Sequence, residues 1–136
     1  MLHQDWSLVT ETSPAVVGEI LHFYVTGLGA VGGSVGDGET TPDSPLLPVI
    51  QNPVFSSLSN SGATVDYCSA YGAEFQLMFA GLAPGTVGIY QMDVKLSSVE
   101  FNLISLNCGV PSDTRLGSGV LFYAAPPQAG IKANDK

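Results

Sequence analysis

Phe79-Ala80-Gly81-Leu82-Ala83-Pro84-Gly85-Thr86-Val87-Gly88-Ile89-Tyr90-Gln91-Met92-Asp93-Val94 is the stretch on which the fold turns. An apolar run enters a Pro-Gly turn, and an alternating run leaves it. Proline presets φ for the first central position of a tight turn, and glycine permits positive φ at the next. Beyond the turn, Tyr90, Met92, Val94 and Leu96 alternate with Gln91, Asp93 and Lys95. A period of two marks a half-buried strand. The stretch predicts strand, turn, strand, with one face on a core.

Outward from this hairpin the same signals recur. Residues 19–26, Glu-Ile-Leu-His-Phe-Tyr-Val-Thr, are β-branched and aromatic on both faces, which predicts a strand lying inside a sandwich. Strands are also expected at residues 63–68, 74–80, 88–96, 101–107 and 118–124, with a short one at 7–10. Residues 49–58 predict a strand interrupted by Pro53, hence an edge. Turn signals fall at Asn60-Ser61-Gly62, at Tyr71-Gly72 and between Gly109 and Gly117. Residues 27–48 form a long loop rich in Gly, Pro, Ser and Asp, with no apolar period. Helical periodicity and internal repeats are both missing. Short strands spaced by about 8–12 residues predict an all-β sandwich or barrel.

Composition sets outer bounds. A chain of 136 residues suits one domain with a proper core. Hydrophobic residues make up 45% and charged residues 12%, against about 25% charged in ordinary domains, which argues against disorder. The net charge is −8, with Lys95, Arg115, Lys132 and Lys136 the only lysines and arginines. Four scattered cations cannot neutralise a run of phosphates, so a nucleic-acid partner is excluded and an anionic membrane surface is disfavoured. No apolar run reaches the ~18 residues of a membrane helix. Met1-Leu2-His3-Gln4-Asp5-Trp6 lacks the basic and apolar regions of a signal peptide. That leaves a removed signal, a fragment of a longer protein or a cytoplasmic chain. Residues 1–13 are expected to be an N-terminal extension, residues 14–125 the sandwich, and residues 126–136 a polar tail.

Several motifs carry chemistry, each against a plainer reading. Gly27-Leu28-Gly29-Ala30-Val31-Gly32 has the G-x-G-x-x-G spacing of dinucleotide binding, but that motif works only where it opens a helix. Gly32-Gly33-Ser34-Val35-Gly36 has the G-x-S-x-G spacing of a nucleophile elbow. Both histidines, His3 and His22, precede Ser34, so a triad would run in an unusual order, with His22 as base and Asp37 or Asp43 as the acid. A Gly-rich loop is the plainer reading. Asp37, Glu39 and Asp43 offer hard oxygen ligands suited to Ca²⁺, without EF-hand spacing, and a solvated acidic loop is commoner. His22 is expected to be a core or edge histidine with a satisfied hydrogen bond. Two His and two Cys fit no zinc motif. Cys68 and Cys108 each close an expected strand. A bridge between them would span about 40 residues and contribute about 4 kcal/mol, with two buried free thiols as the alternative. Trp6, Tyr67, Tyr71 and Tyr123 could supply an aromatic platform for sugar rings, although aromatics in a small β domain are more often core.

The segment Ala80-Gly81-Leu82-Ala83-Pro84-Gly85, followed by Val87-Gly88 and Tyr90-Gln91, resembles the hallmark of a C-terminal domain found in many uncharacterised secreted proteins of soil bacteria, acidobacteria above all. Val17-Gly18-Glu19-Ile20 and Val25-Thr26-Gly27-Leu28-Gly29 resemble that family's opening strand and turn, and Ser44-Pro45-Leu46-Leu47-Pro48 its Pro-rich segment. The resemblance covers roughly residues 14–125. The sequence departs from the usual pattern at residues 66–73, which are less Gly-rich, and at Asp113 and Arg115. The resemblance implies an immunoglobulin-like β-sandwich of about seven strands, exported to the cell surface or beyond it. It implies a module at the end of a longer protein, with no established catalytic residues. The chain is expected to be a non-catalytic, cofactor-free module contacting a protein or polysaccharide in adhesion, with the loop of residues 27–48, which carries Asp37, Glu39 and Asp43, the best candidate region for a ligand. A small hydrolase centred on Ser34 and a self-associating homo-oligomer are the alternatives. Tyr90 is expected to place its hydroxyl on a loop backbone, and Gly81 and Gly88 to let chains approach closely.

Overall fold

The computed structural model describes residues 1–50, 55–57, 68–108 and 118–125. Seven strands occur among them, and no helix: β1 (Ile20–Val25), β2 (Phe55–Ser57), β3 (Cys68–Tyr71), β4 (Ala73–Leu82), β5 (Tyr90–Val99), β6 (Leu103–Cys108) and β7 (Ser118–Tyr123). They make two sheets, ordered β1-β5-β4 and β2-β3-β6-β7. All pairings are antiparallel except the short β2–β3 pair. The molecule is an all-β sandwich.

The core follows from strand alternation. On β5, Met92, Val94 and Leu96 are fully buried, while Gln91, Asp93 and Lys95 face the other way. They meet Leu21 and Phe23 of β1, Ile104 and Leu106 of β6, and Phe122 of β7 in one cluster. Phe75 of β4 tilts against Phe122 across the two sheets, with ring centroids 6.0 Å apart. Fully burying such a side chain contributes roughly 1.5–3 kcal/mol.

The hairpin forms as its sequence dictates. The turn lies at Pro84 and Gly85, with Gly85 at φ 74°. The Tyr90 hydroxyl donates to the Gly29 carbonyl, as expected of it. At Gly81 a Cβ would strike the Leu47 carbonyl oxygen and come within 2.9 Å of the Pro48 Cα, so close approach does require glycine there. Gly88 differs from expectation. Nothing lies near it, and its φ of 67° is what calls for glycine.

Three further differences from the sequence reading have local causes. Residues 7–10 form no strand, and Leu8 instead bridges back to Leu2 in a tight turn. Tyr71 ends β3 rather than starting a loop, and Gly72 at φ 88° takes the chain straight from one sheet into the other. A side chain on Gly72 would meet Phe101 at 2.8 Å. Met78 is the extra residue of a bulge in β4: Leu77 pairs with Val94, and Phe79 pairs with Asp93. The bulge flips the phase of the strand, turning Phe79 to the outer face and Ala80 into the core. Residues 63–67 of one expected strand, Pro53, the 109–117 loop and the 126–136 tail lie outside the described residues.

Both edges of the first sheet are covered. Leu2 exchanges two backbone bonds with His22 on β1, at 2.8 and 2.9 Å. On the other side, Leu82 donates to Leu47 and Val49 donates to Ala80, so residues 47–49 lie along β4. Covering an edge in this way removes a template for unwanted pairing.

Candidate functional site

Three regions hold the residues with chemical potential: the outer face of the first sheet, the 27–48 loop and the outer face of the second sheet.

On the first sheet, His22 projects from the face of β1 opposite Leu21 and Phe23 and finds Asp93 directly across on β5. Its Nδ1 lies 2.6 Å from the Asp93 carboxylate, which also accepts from Gln91 Nε2 at 2.9 Å. Trp6 stacks on the imidazole, with centroids 3.9 Å apart and planes within 7°. Trp6 is also the only described non-glycine residue at positive φ, 69°. A bulky side chain in that region is an outlier that its contacts must maintain. His22 is therefore a buried histidine with a satisfied hydrogen bond, as expected.

The second histidine sits in a parallel arrangement. His3 Nδ1 lies 2.6 Å from Glu19 Oε1, and Nε2 lies 3.0 Å from the Ser13 carbonyl. Donating to both the carboxylate and the carbonyl takes an imidazolium, while the Ser13 hydroxyl, 3.1 Å from Nε2, can donate to the neutral ring. Burial opposes that charge. The Glu19 and Ser13 hydrogen bonds and the negative charges of Glu19 and Asp5 outweigh it, and the His3 pKa stands above its ordinary value.

The 27–48 loop is anchored over much of its length. Leu28, Thr41 and Leu47 are buried. Thr41 donates its amide to Thr86 and accepts from Gly85. Glu39 accepts the Gly36 amide at 3.0 Å, closing a small turn, and Asp37 and Asp43 are exposed. No group of three or more His, Cys, Asp or Glu placed to hold a metal occurs among the described residues. Ser34 is exposed and makes no hydrogen bond to His22. The carboxylate that His22 engages is Asp93, not Asp37 or Asp43. The three members of the triad considered from sequence are thus not joined. The G-x-G-x-x-G segment opens no helix.

The outer face of the second sheet is of another kind. Register places Tyr71, Ser105 and Leu121 in one row across β3, β6 and β7, and Leu103 beside Tyr123 in the next. Phe101 closes the patch by stacking on Tyr71, with centroids 5.4 Å apart. Tyr71 is 54% exposed and Leu121 65%, and Phe101, Leu103 and Tyr123 are exposed as well. Asn107 donates to the Ser105 hydroxyl at 3.1 Å, so hydrogen-bonding groups run along the same face. Of the four aromatics considered as a platform, Tyr71 and Tyr123 share this face, Trp6 belongs to the first sheet, and Tyr67 lies outside the described residues.

Phe101, Leu103 and Leu121 did not stand out from the sequence. Their signal was a strand pattern with apolar residues in both phases, which reads as core until the sheets are assembled. Asp93 was legible only as a polar-phase residue of β5.

Cys68 is fully buried, is not a free thiol, and sits opposite Cys108 in the β3–β6 register. No helix among the described residues is long and apolar enough to cross a membrane. Comparison with protein-family models, with curated proteins and with solved structures yields no match to this chain.

Proposed function

We propose that this chain is a non-catalytic, exported interaction module of immunoglobulin-like type that lays the outer face of its second sheet on a neutral polysaccharide. The observation that carries this reading is the exposed Tyr71–Phe101 stack, continued by Leu103, Leu121 and Tyr123. Contiguous exposed apolar groups on a soluble domain mark an interaction surface. Aromatic rings present flat apolar area to the C–H faces of sugars, and the Ser105 hydroxyl and Asn107 amide beside them suit sugar hydroxyls. The strands β2, β3, β6 and β7 contain no charged residue, which favours a neutral polymer over an acidic or basic one. The net charge of −8 adds repulsion against acidic polymers.

The immunoglobulin-like reading draws on connectivity. β4 and β5 form one hairpin, β6 and β7 another, and the chain changes sheet between β3 and β4 and between β5 and β6. Ala15 pairs in parallel with Ala124 beyond β7, as an opening strand of such a sandwich does with the last. Export is supported by the facing cysteines. Directly opposed residues of an antiparallel pair have Cα atoms about 4.5–5.5 Å apart, within the range a disulfide spans. The hydrolase reading on Ser34, His22 and Asp37 lacks comparable support, since His22 is committed to Asp93.

Retention on insoluble cellulose, chitin and xylan tests the proposal. At least one should retain the protein, and Tyr71→Ala and Tyr123→Ala should each weaken retention about tenfold, as loss of an aromatic anchor does. Retention by none, or retention indifferent to both substitutions, rejects it. One observation favours self-association as a second reading: β7 is an edge strand that Ala15 covers only at its Tyr123 end, and it has no charges to discourage pairing. A mass that rises with concentration in light scattering, and falls after Leu121→Lys, would support that reading.

A further inference from the structure

We propose that Ser13 is an activated nucleophile that accepts an acyl group from a neutral activated ester, with His3 as its base and Glu19 holding that base in place. This goes beyond the binding reading, because it concerns residues 3–19 rather than the second sheet. A single transfer onto the protein involves no turnover.

A serine hydroxyl is a weak nucleophile until a base within hydrogen-bond reach takes its proton and a third group orients the base. The three parts meet here. Ser13 Oγ lies 3.1 Å from His3 Nε2, and His3 Nδ1 lies 2.6 Å from Glu19 Oε1. Glu19 is fixed in turn, since its Oε2 accepts the Val16 amide at 3.1 Å. An ionised carboxylate only accepts, so Nδ1 carries the proton and the neutral ring offers its Nε2 lone pair to Ser13. The turn that carries Ser13 is closed: Ser13 and Thr10 exchange backbone bonds at 3.0 and 3.2 Å, and the Ser13 amide also reaches Thr10 Oγ1 at 3.1 Å. Ser13 is exposed to a reagent, while the His3 and Glu19 side chains are only 10% and 16% exposed. Such a constellation is recognised by geometry rather than by order along the chain.

The step balances within these groups and the ester. Ser13 Oγ attacks the carbonyl carbon and gives its proton to His3 Nε2, while the carbonyl electron pair moves onto oxygen. When that oxyanion collapses, the bond to the leaving oxygen breaks, and the leaving oxygen takes the proton from Nε2. The products are the Ser13 ester and the free alcohol or phenol. The imidazolium formed between these events has its own acceptor, because Nε2 also lies 3.0 Å from the Ser13 carbonyl, and the negative charges of Glu19 and Asp5 favour it. The Glu11 and Thr12 amides of the same turn have no hydrogen-bond partner among the described residues, and they are the donors this turn offers to the oxyanion. Asp5, Glu11 and Glu19 share the segment in a chain of net charge −8, which repels anionic acyl carriers and admits neutral esters.

Treating the intact chain with p-nitrophenyl acetate at mildly alkaline pH tests this. Mass and peptide mapping should find one acetyl group, on Ser13, released by hydroxylamine as an ester is and as an amide on Met1 or Lys95 is not. Ser13 should react about 100-fold faster than Ser7, Thr10 or Thr12, the low end of what a positioned base contributes. His3→Gln should remove that advantage, and Ser13→Ala should end the labelling. The rate should rise with pH as His3 loses its proton, then level off. Glu19→Gln can donate to Nδ1 and so move the ring proton to Nε2, which should slow Ser13. With the carboxylate charge gone, the midpoint of the remaining rate should also move to lower pH, whereas a Glu19 that merely supports the turn would leave it in place. No acetyl group, or one found only on Met1 or Lys95 or spread evenly over the hydroxyls, overturns the proposal, as does a Ser13 rate indifferent to His3→Gln. Should that variant fail to fold, the unmodified chain decides: a rate that levels off above one ionisation supports the site, and a rate that climbs with hydroxide throughout overturns it.

Discussion

The two outer faces of this sandwich are opposite in character. On the first sheet, β1, β4 and β5 carry His22, Glu74, Asp93 and Lys95. On the second, β2, β3, β6 and β7 carry no charge at all. The first sheet is closed at both edges, by Leu2 on one side and residues 47–49 on the other. Its polar face is spent internally, His22 on Asp93 and Trp6 on His22. The second sheet leaves Tyr71, Phe101, Leu103, Leu121 and Tyr123 in water with nothing described above them. On the binding reading proposed above, closure belongs to one sheet and contact to the other. Perturbing the first should change stability and local opening. Perturbing the second, away from the cysteines, should change binding alone.

The largest expected effect is at Cys68 and Cys108, in the second sheet. Oxidised protein should be about 4 kcal/mol more stable than reduced protein, the loop-entropy value for a Cys68–Cys108 bridge closing about 40 residues. Denaturant melts with and without reductant measure this, and exchange should quicken first in β3 and β6. Equal stability in both states would leave the second sheet without its staple and weaken the case for export.

Next in size is a change at the closed edge of the first sheet. Gly81→Ala puts a methyl group against the Leu47 carbonyl and the Pro48 Cα, both backbone. Backbone cannot swing aside as a flexible side chain would, so residues 47–49 must lift from β4 or the strand must bend. The cost should be about 1–3 kcal/mol, with protection lost at the Val49 and Leu82 amides. The matched change on the other face, Leu121→Ser, should stay within about 0.5 kcal/mol, because an exposed side chain has little packing to lose. If Leu121→Ser proved as costly as Gly81→Ala, the second face would be covered, and the contrast between the sheets would fail.

What the sequence showed of this arrangement depended on how local the determinant was. The hairpin at residues 79–94 was legible because its turn chemistry and its period of two both lie within a few residues. So was the Tyr90 contact with a loop backbone, which the structure places on Gly29. The bulge at Met78 was not. Phe75-Gln76-Leu77-Met78-Phe79-Ala80 is apolar in both phases after Gln76, and such a run carries no information on which residue flips. The partner of His22 was out of reach for a different reason. Asp93 lies 71 positions away, and only the β1–β5 register brings it opposite. The aromatic platform was legible by half. Tyr71 and Tyr123 do share a face, yet residue type cannot say to which sheet a ring belongs, and Trp6 went to the other.

The smallest expected effect refines the closed side. Thr41 is buried between the loop and the Pro84–Gly85 turn, and its backbone is fully engaged with Thr86 and Gly85. Its Oγ1 has no hydrogen-bond partner. A buried hydroxyl without a partner forfeits its hydration and regains nothing, whereas a methyl group in the same place has no hydration to lose. Thr41→Val keeps the shape and the β-branch and exchanges one for the other. It should therefore stabilise the protein by about 1 kcal/mol, raising the melting temperature by about 3 °C. The gain should appear as slower exchange at the Gly85 amide, which donates to the Thr41 carbonyl. A lower melting temperature would mean that the hydroxyl has a partner after all, and that the loop is joined to the hairpin by a polar contact as well as by the backbone bonds at Thr41, Leu47 and Val49.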